Sequence, residues 1–108
     1  MQVGIRTANG HQRAQAARFG VESIDMQAWL SGTRPRLDGP VYISIDLDGI
    51  DPAFAPGVSH REPGGLSTRD VIALIQALPA PIAGADLVEF NPGQDPWGLT
   101  TPVAAKLV

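Results

Sequence analysis

Val41-Tyr42-Ile43-Ser44-Ile45-Asp46-Leu47-Asp48-Gly49-Ile50-Asp51-Pro52 is the stretch on which the reading turns. Val41 to Leu47 is apolar on both faces until Ser44 and Asp46 interrupt it. That pattern predicts a parallel strand buried on both sides. Asp46 and Asp48 are two positions apart, so on a strand end both carboxylates point to one face. The carboxyl end of a strand is where open α/β sheets place their ligands. Paired carboxylates repel unless something neutralises them. A hard divalent cation does so, and carboxylate oxygens suit Mg, Ca or Mn. A bare Asp-x-Asp is equally compatible with turn chemistry. A calcium loop of the helix-loop-helix type does not fit, because Gly49 falls at the fourth loop position and the twelfth is Gly57, not Glu.

Working outward, a long loop runs from Asp48 to Leu66 and holds three of the ten prolines and four of the twelve glycines. Loops of that length in a compact domain are usually functional. Asp51, before Pro52, suits a turn that shapes this loop. Ser67-Thr68-Arg69-Asp70 reads as a capping box opening a helix to about Leu78, with Val71, Leu74, Ile75 and Leu78 on one face. A second buried strand is expected within Ile82 to Phe90, broken by Asn91-Pro92-Gly93. Thr100 or Thr101 is expected to cap a last helix with Pro102 in its first turn. Toward the N-terminus, Gln2 to Arg6 and Val21 to Met26 read as strands. Between them lies a helix over about His11 to Arg18, capped by Asn9 and ended by Gly20. Strands alternating with helices predict an α/β fold.

Composition narrows the function classes. The 108 residues carry a net charge of −3, with 44% hydrophobic and 18% charged residues, an ordinary globular balance. The eight Lys and Arg residues are dispersed, which argues against nucleic acid. There is no Cys, so thiolate chemistry is excluded. No apolar run approaches the roughly 20 residues that span a bilayer, and no membrane role is expected. Met1 to Arg6 lacks the pattern of a secretory signal, and a soluble cytoplasmic protein is the default expectation. Both ends lack a polar fringe, which leads us to expect part of a longer domain.

The run Ser44-Ile45-Asp46-Leu47-Asp48-Gly49-Ile50-Asp51-Pro52-Ala53-Phe54-Ala55-Pro56-Gly57, with seven further residues before Gly65, resembles the signature of the ureohydrolases, the arginase and agmatinase family. Gln2-Val3-Gly4-Ile5-Arg6 and Gly84-Ala85-Asp86-Leu87-Val88-Glu89-Phe90-Asn91-Pro92 resemble two flanking strands of that family. Gly57 to Gly65 and Ala104 to Val108 look most like plant-type arginases. The resemblance covers essentially the whole chain and corresponds to the later part of a family member. It implies a three-layer α/β/α fold with a parallel sheet, of which residues 1–108 form one partial domain without the N-terminal part. It also implies hydrolysis of a guanidino group, in arginine or agmatine, to urea and an amine. Two Mn²⁺ ions per complete site would serve as cofactor, and the complete protein would be a homo-oligomer.

By the same resemblance Asp46 and Asp48 would be metal ligands, and Glu89, Asn9 and His60 would lie at the substrate. A planar guanidinium suits a carboxylate such as Glu89; the alternative is a strand-end carboxylate bonded to loop amides. Asn9 is equally an N-cap. His60 stands where other members carry Thr, and could instead be a solvated loop residue or a proton carrier. Trp29 and Trp97 read as packing residues, Trp97 alternatively as a subunit contact. The family also draws a His and an Asp/His cluster from earlier segments. No Asp-x-His-x-Asp occurs here, and the two His residues are His11 and His60. The chain alone is therefore expected to be an incomplete site. The competing reading is a non-catalytic folded fragment that binds metal or assembles with another chain.

Overall fold

The computed structural model describes residues 1–79 and 81–108. Strands β1 (Gln2–Ile5), β2 (Ser23–Asp25), β3 (Val41–Asp46) and β4 (Ile82–Val88) alternate with helices α1 (Gly10–Arg18), α2 (Met26–Leu30), α3 (Thr68–Gln76) and α4 (Thr100–Leu107). The strands form two parallel ladders, β1 with β2 and β3 with β4. The α/β class with parallel pairing is thus as the alternation predicted. Residues divide into two compact units, Met1–Arg36 and Leu37–Val108. Among the described residues, no helix is long and apolar enough to cross a membrane.

In the first unit, Asn9 opens α1 through a full capping box. Its side chain accepts from the Gln12 amide at 2.9 Å, and the Gln12 side chain accepts from the Asn9 amide at 2.7 Å. The N-cap expectation for Asn9 is met in this geometry. Helix α1 buries none of its residues, since its apolar content is alanine alone. Helix α2 begins at Asp25, whose carboxylate accepts from the Ala28 amide at 2.8 Å. Trp29 on α2 is buried, with the Arg34 guanidinium 3.7 Å from its ring centroid. Together with Ile24 of β2 it forms the small core of this unit.

In the second unit, β3 pairs with β4 in a register that sets Tyr42 beside Gly84, Ser44 beside Asp86 and Asp46 beside Val88. Alternation sends Ile45 inward, where Leu47, Ile50, Ala55, Val58, Leu66 and Val71 complete the core. The opposite face is open: Tyr42, Ser44 and Asp46 are all exposed. The expectation of a strand buried on both sides is corrected here, because the described segments cover one face of this ladder. On the open face, a Cβ at Gly84 would lie 2.9 Å from the Tyr42 ring, so glycine is what lets that ring lie flat across β4. The Tyr42 hydroxyl donates to Asp86 at 3.0 Å and the Ser44 hydroxyl at 2.6 Å. The bond to Asp86, aided by its charge, holds the Tyr42 phenol above its ordinary value.

Helix α3 opens on the predicted Ser67–Asp70 capping box and packs beside α4. The start of α4 differs from expectation. Thr100 and Thr101 lie inside the helix, and the cap is supplied by Asp95 from upstream. Its two oxygens accept from the Thr100 amide at 2.8 Å and the Thr101 amide at 3.1 Å. A carboxylate suits that end because the helix dipole is positive there. Trp97 is 93% exposed at φ 53°, so it does not pack within the chain, in contrast to Trp29.

Candidate functional site

The site is built where β3 and β4 end. Strand β3 stops at Asp46, and Leu47 to Gly49 fold into a 3₁₀ turn. The Asp46 carboxylate caps this turn, accepting from the Asp48 amide at 2.9 Å. Asp48 therefore leaves the strand, and the alternation argument that placed both carboxylates on one strand face does not describe it. Leu47 is fully buried in the core and anchors the turn between them.

Strand β4 ends one residue before Glu89, which sits at φ 65°. Left-handed backbone costs a residue with a Cβ about 1–2 kcal/mol. Such strain, held by its surroundings, is characteristic of functional positions. A third side chain arrives from the loop: ligand-type atoms of Asp48, His60 and Glu89 all lie within 4.8 Å of one another. His60 Nδ1 is 3.3 Å from Asp48 Oδ2, with Asp48 mostly buried and His60 84% exposed. Asp46 is not among the three.

The loop that delivers His60 is tied on several sides. Asp51 holds its base: one oxygen accepts from Ala53 at 2.8 Å, and the other from Gly64 at 2.6 Å and Gly65 at 3.1 Å. An isolated bridge between Ile50 and Leu66 closes the loop. Its tip is stitched to the segment after Glu89. The Asn91 amide donates to Gly57 O at 2.8 Å, and the Asn91 side chain to Ser59 Oγ at 3.0 Å. Arg61 donates to Pro56 O at 2.7 Å and Gln94 O at 2.6 Å. Beneath the tip, the Gly57 amide donates to the buried Thr100 hydroxyl at 2.6 Å. A Cβ at Gly57 would meet Asp95 Cβ and Thr100 Oγ1 at 2.8 Å, so this close approach requires glycine.

Two carboxylates and one imidazole are oxygen and nitrogen donors of the kind that divalent Mn or Zn accepts, so the residues fit a metal. Asn9 belongs to the first unit, and His11 lies exposed on α1 of that unit. Sequence reading missed the roles of Asp95 and Arg61 and the meeting of His60 with Asp48. A loop histidine after Gly57-Val58-Ser59 carries no local pattern from which its partner could be read.

A family profile described as the Arginase family matches residues 1–108. The chain belongs to the arginase family. It is 54% identical to arginase 1, mitochondrial, of Arabidopsis thaliana, aligning along 100% of its own length and 34% of that protein. It is 45% identical to a guanidinobutyrase of Pseudomonas aeruginosa, over 100% of the chain and 38% of the relative. Among solved structures, the arginase of Medicago truncatula superposes with a TM-score of 0.87 at 45% identity, covering 99% of this chain and 36% of that one. A triple mutant of the T. brucei arginase-like protein, bound with Mn2+, superposes with a TM-score of 0.89 at 34% identity, over 97% and 39%. This arginase-family chain thus spans about a third of the length of the relatives it matches. The cytoplasmic expectation is overturned, because the arginases of Arabidopsis, Medicago and Oryza that it matches are named mitochondrial, and a second one of Arabidopsis chloroplastic/mitochondrial. The physical reason is simple. Organelle addresses reside in separate leader segments, so the fold and composition of a domain do not report its compartment.

Proposed function

We propose that these residues form one wall of a Mn²⁺-dependent site that hydrolyses a guanidino group to urea and an amine. The observation that carries this reading is the convergence of Asp48, His60 and Glu89 within 4.8 Å at the carboxyl ends of β3 and β4. Asp46 and Asp48 serve as ligands to the metal pair of the complete site. When bound, such a metal supplies an activated water near neutral pH. Glu89 receives the guanidinium of arginine, agmatine or a related compound. Its two oxygens match the planar fork of the cation. Holding the guanidinium carbon in that one place is the proximity contribution of this chain. Asn9 and His60 are kept as further substrate contacts, supported by the family resemblance alone. The assembled enzyme is read as a homo-oligomer, consistent with the exposed Trp97 and Leu99.

Asp46 and Asp48 are too few donors to hold two Mn²⁺ ions, each of which needs several ligands. The purified 108-residue chain should therefore release no measurable urea from arginine or agmatine in the presence of Mn²⁺. Urea formation that disappears in Asp46→Ala would show that this chain completes a working site, and would overturn the incomplete-site part of the proposal. The competing reading, a metal-binding module without hydrolysis, shares the Asp48 cluster but leaves Glu89 without a task. Protection of Glu89 by a guanidinium ligand, seen as chemical-shift changes that Glu89→Gln removes, separates the two.

A further inference from the structure

We infer that the Arg36–Leu37 peptide bond is a processing site for an arginine-directed endopeptidase, which divides the chain between its two compact units. The boundary between Met1–Arg36 and Leu37–Val108 falls at this bond. Hydrolysis adds one water across the amide, leaving a carboxylate on Arg36 and a free amine on Leu37. The cut parts the unit that holds Asn9 from the unit that holds Asp46, Asp48 and Glu89.

Three observations support it. The first is the state of the backbone. Residues 31–40 connect α2 to β3. Regular bonding ends where the Thr33 amide donates to Ala28 O at 3.0 Å, and resumes where the Val41 amide donates to Pro81 O at 3.0 Å. Among the described residues, nothing hydrogen-bonds the backbone of residues 34–40, and Arg36 is exposed with no hydrogen bond or ion pair on its side chain. Exposed connections of this kind are where proteases nick folded chains. The second is conformation. A bound peptide that pairs with an enzyme's strand must be extended. Pro35 fixes its own φ and keeps Arg34 out of the helical region, so the approach to Arg36 is already extended. The third is selectivity among the eight Lys and Arg residues. Arg13 and Arg18 lie in α1, Arg69 in α3 and Lys106 in α4, where cutting requires local unwinding. Arg6 directly follows β1 and is half-buried. Arg61 donates to the Pro56 and Gln94 carbonyls. Arg34 donates to the Trp29 and Thr33 carbonyls, each at 2.8 Å, and is followed by a proline nitrogen that carries no hydrogen and that such enzymes reject. Arg36 is left with a guanidinium free to enter the acidic pocket of a trypsin-type enzyme.

The test is limited trypsin digestion of the full 108-residue chain, with the products weighed by mass spectrometry over time. Residues 1–36 and 37–108 should be the first pair to form. Arg36→Gln should suppress that pair and slow loss of the intact chain about tenfold, because every remaining site must open locally before it is cut. Leu37→Pro keeps the Arg36 charge and should have the same effect, which assigns the result to this one peptide bond. Both positions lie outside the helices and strands, so the circular dichroism of each variant should match the wild type. A first cut at Arg6, Arg13, Arg18 or Arg61 overturns the proposal, as does simultaneous cutting at all the basic residues. So does a wild type that resists trypsin, or an Arg36→Gln chain digested as fast as the wild type.

Discussion

Replacing Thr100 by Val isolates a single buried hydrogen bond. Thr100 is fully buried, and valine has nearly its shape. The hydroxyl accepts from the Gly57 amide at 2.6 Å, so the substitution leaves a donor in a dry site with nothing to bind. An orphaned buried donor costs about 1–3 kcal/mol. That is roughly a 5- to 150-fold shift in the folding equilibrium, against total stabilities of about 5–15 kcal/mol for a domain. With a urea slope of about 2 kcal/mol/M, the midpoint should fall by roughly 0.5–1.5 M. Thr100→Ser keeps the acceptor and loses one methyl, so about 1 kcal/mol is expected from burial alone. Hydrogen exchange distinguishes the two: the Gly57 amide should lose protection in Thr100→Val and retain most of it in Thr100→Ser. A Thr100→Val protein with an unchanged midpoint and a protected Gly57 amide would refute the claim that this bond holds the loop tip to α4.

Gly57→Ala pushes a methyl into Asp95 and Thr100, and should destabilise by about 1–3 kcal/mol in thermal unfolding, the usual cost of overpacking. Glu89→Gly should be more stable than Glu89→Ala by about 1 kcal/mol, because glycine alone accepts the left-handed backbone freely; equal stabilities would argue against the strain. For the Asp95 carboxyl, burial acts to raise its pKa, but the bonds from Thr100 and Thr101 outweigh burial and hold it below the ordinary 3.8. A depressed folded value stabilises above the unfolded one, so this contribution is present above about pH 4 and is lost as pH falls below 3.8 toward the folded value. Asp95→Asn should flatten the acid limb of a stability–pH profile. Finally, Trp97→Phe should leave a blue-shifted emission from buried Trp29, and Trp29→Phe a red-shifted one; identical spectra would contradict their opposite exposures.

Local chemistry made much of this protein legible from its residues. The Asn9 and Ser67–Asp70 capping boxes, the helices they open, the β3 strand and the Asp48–Leu66 loop depend on neighbours a few positions apart, and short-range patterns carry that information. The long signature around Asp46 and Asp48 carried the family. Tertiary structure decided the rest. Asp48 left the strand because Leu47 had to be buried and Asp46 capped the resulting turn. The helix expected to be capped by its own threonines took Asp95 instead, through bonds that span a kinked segment no periodicity describes. His60 came to Asp48 and Glu89 because Arg61, Ser59 and Gly57 are bonded to residues more than thirty positions away. Strand alternation could say which face Tyr42 shares with Ser44, but not that this face stays open. Which face is covered depends on the segments packed against it, and those contacts are set in three dimensions.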